Sequence, residues 1–114
     1  MPQLLELSSF KDDRGILTVV EKILPFSIQR VYYLWDTNEI PRGGHKHREG
    51  TQALICLQGQ CVVQVRDHED FLLNSPNQCL ILESDDWHSL YFNPKAILLV
   101  LASHPYSADN YIYD

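Results

Sequence analysis

The sequence predicts an all-β domain, a sandwich or barrel of roughly eight short strands. Short runs rich in β-branched, aromatic and leucine residues recur throughout the 114-residue chain. Gly, Pro, Asn and Asp residues interrupt these runs at short spacing, and no segment shows the apolar period of a long helix. Closely spaced short strands are typical of sandwiches and barrels, in which a ligand binds in the barrel mouth or between the sheets.

The strand runs follow one another with a turn signal between most neighbours. In chain order, strands are predicted at residues 16–20, 28–35, 52–57, 61–65, 70–73, 78–82, 88–92 and 96–102. The Asp-Asp-Arg-Gly segment at 12–15 precedes the first, and Gln58-Gly59 predicts a turn between the third and fourth. Breaks are also predicted at 38–44, 67–69, 75–77, 84–86 and 93–94. We interpret residues 1–114 as one domain, since single domains typically have about 100–150 residues.

The last strand run is the most apolar. Residues 96–101 are continuously apolar, whereas a strand with one exposed face alternates with polar residues. This predicts a strand covered on both faces, by a second sheet or by another subunit.

Composition excludes several classes of function. Fifteen acidic and nine basic residues give a net charge of −6, which argues against non-specific nucleic-acid binding. No apolar run approaches the roughly 20 residues of a membrane span, and the N-terminus lacks a secretory signal pattern. We expect a cytoplasmic protein with no membrane or nucleic-acid partner. Three cysteines without a CxxC motif predict buried, reduced thiols.

The most informative segment is Pro-Arg-Gly-Gly-His-Lys-His-Arg-Glu-Gly-Thr-Gln at residues 41–52. Alternate residues of a strand share a face, so His45 and His47 are predicted to project together. The basic residues of this segment also fit an ordinary solvated loop. However, Gln52, Gly59 and a distant His88 follow the histidine pair at the spacing of the two cupin motifs, so the segment resembles those motifs. The sequence is therefore interpreted as a single-domain cupin, a double-stranded β-helix or jelly-roll barrel.

Metal-binding cupins carry glutamate where this chain has Gln52. Three histidines and a carboxylate suit iron or manganese, and a neutral amide removes the anionic ligand. Gln52 is therefore predicted to orient a substrate hydroxyl by hydrogen bonding, and no metal or other cofactor is predicted. A metal-dependent cupin enzyme remains an alternative at this point.

Further segments sharpen the resemblance. They are Asp-Arg-Gly at 13–15, Pro-Phe-Ser-Ile-Gln-Arg-Val-Tyr-Tyr at 25–33, the histidine segment, Trp87-His88, and the end of the chain from 101 to 112. Together they resemble the dTDP-4-keto-6-deoxyglucose 3,4-ketoisomerases, cupin enzymes of deoxyamino-sugar biosynthesis. Two departures stand out: Lys46 replaces a common alanine, and Asn-Tyr-Ile-Tyr at 110–113 replaces Asp-Tyr-Ile-Arg.

The resemblance implies an isomerase that moves a proton between C3 and C4 of a nucleotide sugar. His45 and His47 are the candidates for base and proton shuttle, because imidazole titrates near neutral pH, and Tyr33 is a candidate hydroxyl donor. The predicted substrate-binding residues are Arg14, Arg30, Arg42, Gln52, His88, Trp87 and Tyr32. The arginines suit the diphosphate and the aromatic rings suit stacking, although packing in the core also explains such rings.

Other functions remain open from the sequence. A non-catalytic sugar-binding cupin has the same fold without the proton transfer, and a related nucleotide-sugar epimerase needs a different acid–base arrangement. The absence of a Gly-rich dinucleotide fingerprint argues against a nicotinamide enzyme. The resemblance also implies a homodimer formed by exchange of N-terminal strands. The nucleotide base and the stereochemistry at C4 are left open.

Overall fold

The computed structural model describes residues 1–113, and most of its regular structure is strand. The strands are β1 (Gln3–Glu6), β2 (Ser8–Asp12), β3 (Gly15–Val19), β4 (Arg30–Leu34), β5 (Arg42–His47), β6 (Gln52–Gln58), β7 (Cys61–Val65), β8 (Phe71–Leu73), β9 (Gln78–Leu82), β10 (His88–Phe92), β11 (Ile97–Ala102) and β12 (Tyr111–Ile112). One turn of 3-10 helix, η1 (Ala108–Asn110), precedes β12.

The strands form two five-stranded antiparallel sheets and a separate hairpin. The first sheet has the order β1-β9-β6-β11-β4, and the second has the order β12-β5-β10-β7-β8. The hairpin joins β2 to β3, which pair with no other strand within residues 1–113. This is the double-stranded β-helix arrangement of a cupin, so the all-β prediction is confirmed.

The main core lies between the two sheets. It is built from inward-facing residues on alternate strand positions, such as Leu54 on β6, Val63 on β7 and Leu98 on β11. All three cysteines are free and buried, as predicted, and burial raises the pKa of Cys61 to about 12 and that of Cys79 to about 11. These thiols therefore act as small apolar side chains and not as nucleophiles.

A second apolar cluster explains the continuous apolar run of β11. Leu98 and Val100 face the second sheet, whereas Leu101 packs on the outer side with Ile55, Val20 and Phe26. One face of β11 is therefore covered by a sheet, as predicted. The chain's own segment after β3 helps to cover the other face, which needs no partner subunit.

The predicted strands are confirmed, with small shifts at their ends, and the differences lie at the termini and the histidine segment. β1, β2 and β12 were not predicted, because they are short and lack an apolar alternation. The predicted break at 38–44 ends earlier than expected, since Arg42–His47 is strand β5. Within residues 1–113, no helix has the length and apolar character that a membrane crossing requires.

Candidate active site

A cavity of about 210 Å³ lies at the end of the barrel between the two sheets. Leucine and valine side chains form its apolar wall, among them Leu34, Leu54 and Val100. Its polar lining is Tyr32 from β4, Arg42 and His45 from β5, Gln52 from β6, His88 from β10 and Tyr111 from β12. Five of these six were predicted as site residues, and Tyr111 was not.

Three histidine rings meet beside this cavity. His45 and His47 are two residues apart on β5, so they share a face, and their ring centroids are 5.1 Å apart. β10 pairs with β5 so that His88 is opposite His45, and these two centroids are 5.0 Å apart. The predicted projection of the HxH pair toward His88 is therefore what the sheet register produces.

Each of these histidines is held in its neutral form. Burial lowers the pKa of His45, although a hydrogen bond to the Gly43 backbone opposes the shift. Burial lowers the pKa of His88 to about 4, and burial together with His45, His88, His104 and Arg30 lowers that of His47 to about 3. All three rings are therefore neutral at pH 7, the state in which an imidazole can accept a proton.

Backbone and amide groups orient two of the rings. Nδ1 of His88 lies 2.8 Å from the carbonyl oxygen of Asp86, so the neutral ring donates its Nδ1–H there. Nδ1 of His47 lies 3.2 Å from Nδ2 of Asn110, a residue that follows in η1 more than 60 positions later. His45, the least buried of the three, has its ring on the cavity wall.

The opposite wall carries a tyrosine–glutamine pair. Nε2 of Gln52 donates a hydrogen bond to Oη of Tyr32 at 3.0 Å, and burial raises the pKa of Tyr32. The guanidinium of Arg30 stacks on the Tyr32 ring at 4.8 Å, behind the residues that line the cavity. Arg30 therefore supports the wall, while Gln52 and Tyr32 reach the space itself.

Three predicted site residues lie elsewhere in this chain. Tyr33 follows Tyr32 on β4, so its side chain points to the opposite face, where it is 60% exposed. Tyr33 therefore does not line this cavity, and its catalytic role stays a prediction. Trp87 precedes His88 and packs under the guanidinium of Arg66 at 4.3 Å, outside the cavity. Arg14 is exposed at the hairpin turn and forms an ion pair with Asp12 at 2.6 Å.

The C-terminal segment supplies groups that sequence reasoning missed. Tyr111 pairs with His47 across β12 and β5, and its ring centroid lies 4.9 Å from that of His45. His104, which is 9% exposed, has its ring centroid 5.4 Å from that of His47. The family resemblance included Tyr111 and its neighbours without a role, whereas no periodicity or motif marks His104.

The donor set of the cavity does not fit a divalent metal. The amide of Gln52 is already engaged with Tyr32, and no carboxylate lines the cavity formed by residues 1–113. In the described part of the chain, the one set of three or more possible ligands with atoms within 4.8 Å of one another is Glu83, Asp85 and Asp86. That cluster is an acidic surface turn where the N-terminal amine binds Glu83.

Two facing antiparallel sheets around a histidine-lined cavity define a cupin-fold protein suited to acid–base chemistry on a small polar molecule. The whole sequence, residues 1–114, matches the FdtA family, described as WxcM-like, C-terminal. The chain belongs to this family.

Two proteins similar to the chain are a 3,4-oxoisomerase and a 3,4-ketoisomerase. The chain is 41% identical over 108 residues to the TDP-4-oxo-6-deoxy-alpha-D-glucose-3,4-oxoisomerase of Aneurinibacillus thermoaerophilus, covering 89% of this chain and 78% of that protein. A 3,4-ketoisomerase from Helicobacter canadensis has a similar structure, with a TM-score of 0.94, 38% identity and coverage of 99% and 90% of the two chains.

A second similar structure contains a sugar nucleotide. It is a histidine-to-asparagine mutant of a 3,4-ketoisomerase from Thermoanaerobacterium thermosaccharolyticum in complex with TDP-4-keto-6-deoxyglucose. Its TM-score is 0.89 at 33% identity, with coverage of 99% of this chain and 87% of that one.

Proposed function

We propose that this protein is a nucleotide-sugar 3,4-ketoisomerase that converts dTDP-4-keto-6-deoxyglucose to a dTDP-3-keto-6-deoxyhexose. The observation that carries the proposal is a cluster of three neutral histidines beside a cavity of about 210 Å³, with His45 and His88 on the cavity wall and His47 packed against both. Membership of the family and the shared activity of its relatives support the same reaction.

The reaction needs a base, a proton return and stabilisation of an oxyanion. A base removes the proton from C3, the C3–H electrons form a C3–C4 double bond, and the C4 carbonyl electrons move to O4. Return of the proton to C4, with transfer of the O3 proton to O4, leaves the ketone at C3. No electrons leave the sugar, so the reaction needs no redox cofactor.

Neutral histidines suit these steps because an unprotonated imidazole can accept a proton and return it. We assign the acid–base chemistry to His45 and His47, whose rings are 5.1 Å apart. His88, Gln52 and Tyr32 line the same cavity and are assigned to orienting the sugar hydroxyls.

Arg42 is assigned to the diphosphate. It lines the histidine cavity and also an adjoining cleft of similar volume that contains Trp35. When the hexose of a nucleotide sugar lies beside the histidines, its diphosphate can extend along Arg42 into this cleft. A guanidinium is a strong diphosphate ligand. Arg30 is assigned a supporting role through its stacking on Tyr32.

We further propose that two copies associate. The outer face of β4 exposes Val31 and Tyr33, Trp35 is exposed directly after that strand, and the hairpin exposes Phe10 and Leu17. Exposed apolar groups at this density favour an interface, and a two-stranded hairpin is marginally stable alone. Arg14 lies at the turn of that hairpin, so a substrate-binding role for Arg14 requires a second copy whose cavity the hairpin approaches.

The three cysteines favour a cytoplasmic location for this enzyme. Reduced, buried cysteines fit a reducing compartment, in which structural disulfides are rare.

The test is NMR spectroscopy of dTDP-4-keto-6-deoxyglucose incubated with the enzyme in D₂O. The 3-keto product should form with deuterium at C4, because the transferred proton exchanges with solvent on a histidine. Binding of the nucleotide sugar without interconversion would instead identify a sugar-binding cupin. Inversion at C3 or C5 without ketone migration would identify an epimerase.

A further inference from the structure

Asn110 is the one side chain outside the cavity that hydrogen-bonds a ring of the histidine cluster in the described part of the chain. It is 6% exposed at the end of η1. Its backbone is also fixed, since its carbonyl accepts from the Arg48 N–H at 2.7 Å and its N–H donates to Ser107 at 3.1 Å.

The backbone of Glu49 determines which way the Asn110 amide points. Oδ1 of Asn110 accepts the Glu49 N–H at 3.0 Å, and Nδ2 donates to the Glu49 carbonyl at 3.2 Å. A flipped amide would place a donor against the N–H and an acceptor against the carbonyl. The amide nitrogen therefore faces His47 because of two backbone contacts that are independent of the histidine.

This orientation determines the tautomer of His47. An amide N–H can only donate, so Nδ1 of His47 must offer a lone pair at 3.2 Å. The neutral ring then carries its proton on Nε2. His88 has the opposite arrangement, because its Nδ1–H donates to the Asp86 carbonyl and leaves Nε2 as an acceptor.

The surroundings of His47 keep it in this form. The titratable or charged groups that face it are His45, His88, His104, Arg30 and Tyr111, none of which is a carboxylate. Nε2 of His47 is buried and has no hydrogen-bond partner among the protein atoms of residues 1–113. A buried N–H donor of this kind favours an acceptor oxygen from a bound molecule.

We propose that Asn110 is a positioning residue that fixes His47 as an Nε2–H donor, so that His45 accepts the C3 proton. His47 then donates a hydrogen bond to the developing O4 oxyanion, as a neutral imidazole can. The C3 proton moves to His45 and returns from it to C4, and His47 keeps its own proton. The division of roles rests on the proposed function, whereas the tautomer does not.

The first test reads the tautomer without substrate. In the full chain with ¹⁵N-labelled histidine, a long-range ¹H–¹⁵N spectrum at pH 7 should show a protonated Nε2 for His47 and a protonated Nδ1 for His88. His47→Gln and His88→Gln assign the two sets of signals. A protonated Nδ1 on His47 would overturn the proposal, and it would leave the isomerase assignment intact.

The second test reverses the hydrogen bond. In Asn110→Asp the carboxylate accepts a proton from Nδ1, so the tautomer of His47 should switch and its pKa should rise. Asp109→Asn changes the charge at an exposed neighbouring position and should alter neither. An unchanged His47 spectrum in folded Asn110→Asp would contradict the proposal, and the wild-type spectrum decides it if this variant does not fold.

A third measurement tests the division of roles. Glutamine keeps an N–H donor but cannot take up a proton near pH 7, so His47→Gln should retain more exchange of the C3 proton with solvent than His45→Gln does. A difference of about tenfold or more is expected from the loss of a positioned base. Equal losses would contradict the assignment of His45 as the base. If wild type shows no exchange while the tautomer is as stated, the proposed function fails and the positioning by Asn110 stands.

Discussion

Burial gives the histidines of this protein their chemical character. His47 and His88 are 5% and 4% exposed and remain neutral far below the usual pKa of imidazole, while His45 is less buried and reaches the cavity. Desolvation disfavours the imidazolium, and nearby cationic groups add to the effect at His47. The neutral rings of the cluster can therefore accept protons. They also make the free energy of unfolding depend on pH.

At this scale we predict that His45→Asn and His47→Asn each lower turnover by at least about 10²-fold, the low end for a positioned acid–base group. Asparagine keeps polarity but cannot be protonated near pH 7. Nucleotide affinity should survive, because the diphosphate is assigned to Arg42. Steady-state kinetics and calorimetric binding of dTDP measure the two effects, and His68→Asn in an exposed turn is the matched control. Near-normal turnover in either variant would remove that residue from the mechanism.

Stability should fall in acid for the same physical reason. The unfolded chain protonates His47 and His88 below about pH 6.5, whereas the folded pKa values are about 3 and about 4. The unfolded state therefore binds more protons in this window, and the free energy of unfolding decreases as the pH falls. The slope is at most about 1.4 kcal/mol per pH unit for each histidine. Urea unfolding between pH 7 and pH 4 measures it, and His88→Gln should have a shallower slope than His68→Gln.

Strand elements were predictable where an apolar pattern marked them. The interior strands β6, β7, β9, β10 and β11 show that pattern in the sequence. The spacing of His45 and His47 likewise predicted that the two side chains share one face of β5. Adjacent tyrosines carry no such information: either Tyr32 or Tyr33 can face inward, and only the pairing of β4 with β11 decides it. No local sequence pattern predicts η1 and β12, because their contacts with β5 and with the turn after it join residues more than 60 positions apart.

The junction between β5 and β6 depends on a glycine. Gly50 has φ +95° and lies against the His104 ring, which a Cβ would overlap. Gly50→Ala should therefore destabilise the fold by about 1–3 kcal/mol and displace His104 from His47. Gly15→Ala is the control, since Gly15 also has a positive φ of +137° but no atom within 4 Å of the added Cβ. If urea unfolding showed the same loss of stability for Gly50→Ala and Gly15→Ala, the overlap with the His104 ring would not be destabilising.

For the whole molecule, the site's donors predict independence from metal. In the described part of the chain the ligand atoms of the three histidines do not all lie within 4.8 Å of one another, no carboxylate lines the cavity, and Gln52 is hydrogen-bonded to Tyr32. Activity should therefore survive treatment with EDTA and show no gain on addition of iron, manganese or zinc. Elemental analysis of gently purified enzyme is the companion measurement. Loss of activity to the chelator with recovery on adding one of these metals would contradict the metal-free mechanism.

The distribution of apolar surface over the molecule predicts a homodimer. The two apolar clusters account for β11, and other large apolar side chains stay exposed. Val31 and Tyr33 on β4 are 55% and 60% exposed, Trp35 directly after β4 is 68% exposed, and Phe10 on the hairpin is 63% exposed. Residues of this kind are enriched in the buried centres of interfaces.

Light scattering at micromolar concentration should give twice the 13.2 kDa mass of the chain. The double variant Val31→Glu with Phe10→Glu should shift the population toward monomer, because it places charges in the proposed interface. Glu39→Gln with Glu69→Gln, which changes charge at exposed loop positions, should leave the dimer intact. If the dimer carries Arg14 to a neighbouring cavity, the monomeric variant should also bind dTDP more weakly, as Arg14→Gln should in the intact dimer. A monomeric mass for the wild-type protein would refute the assembly, and Arg14 would then have no substrate to bind.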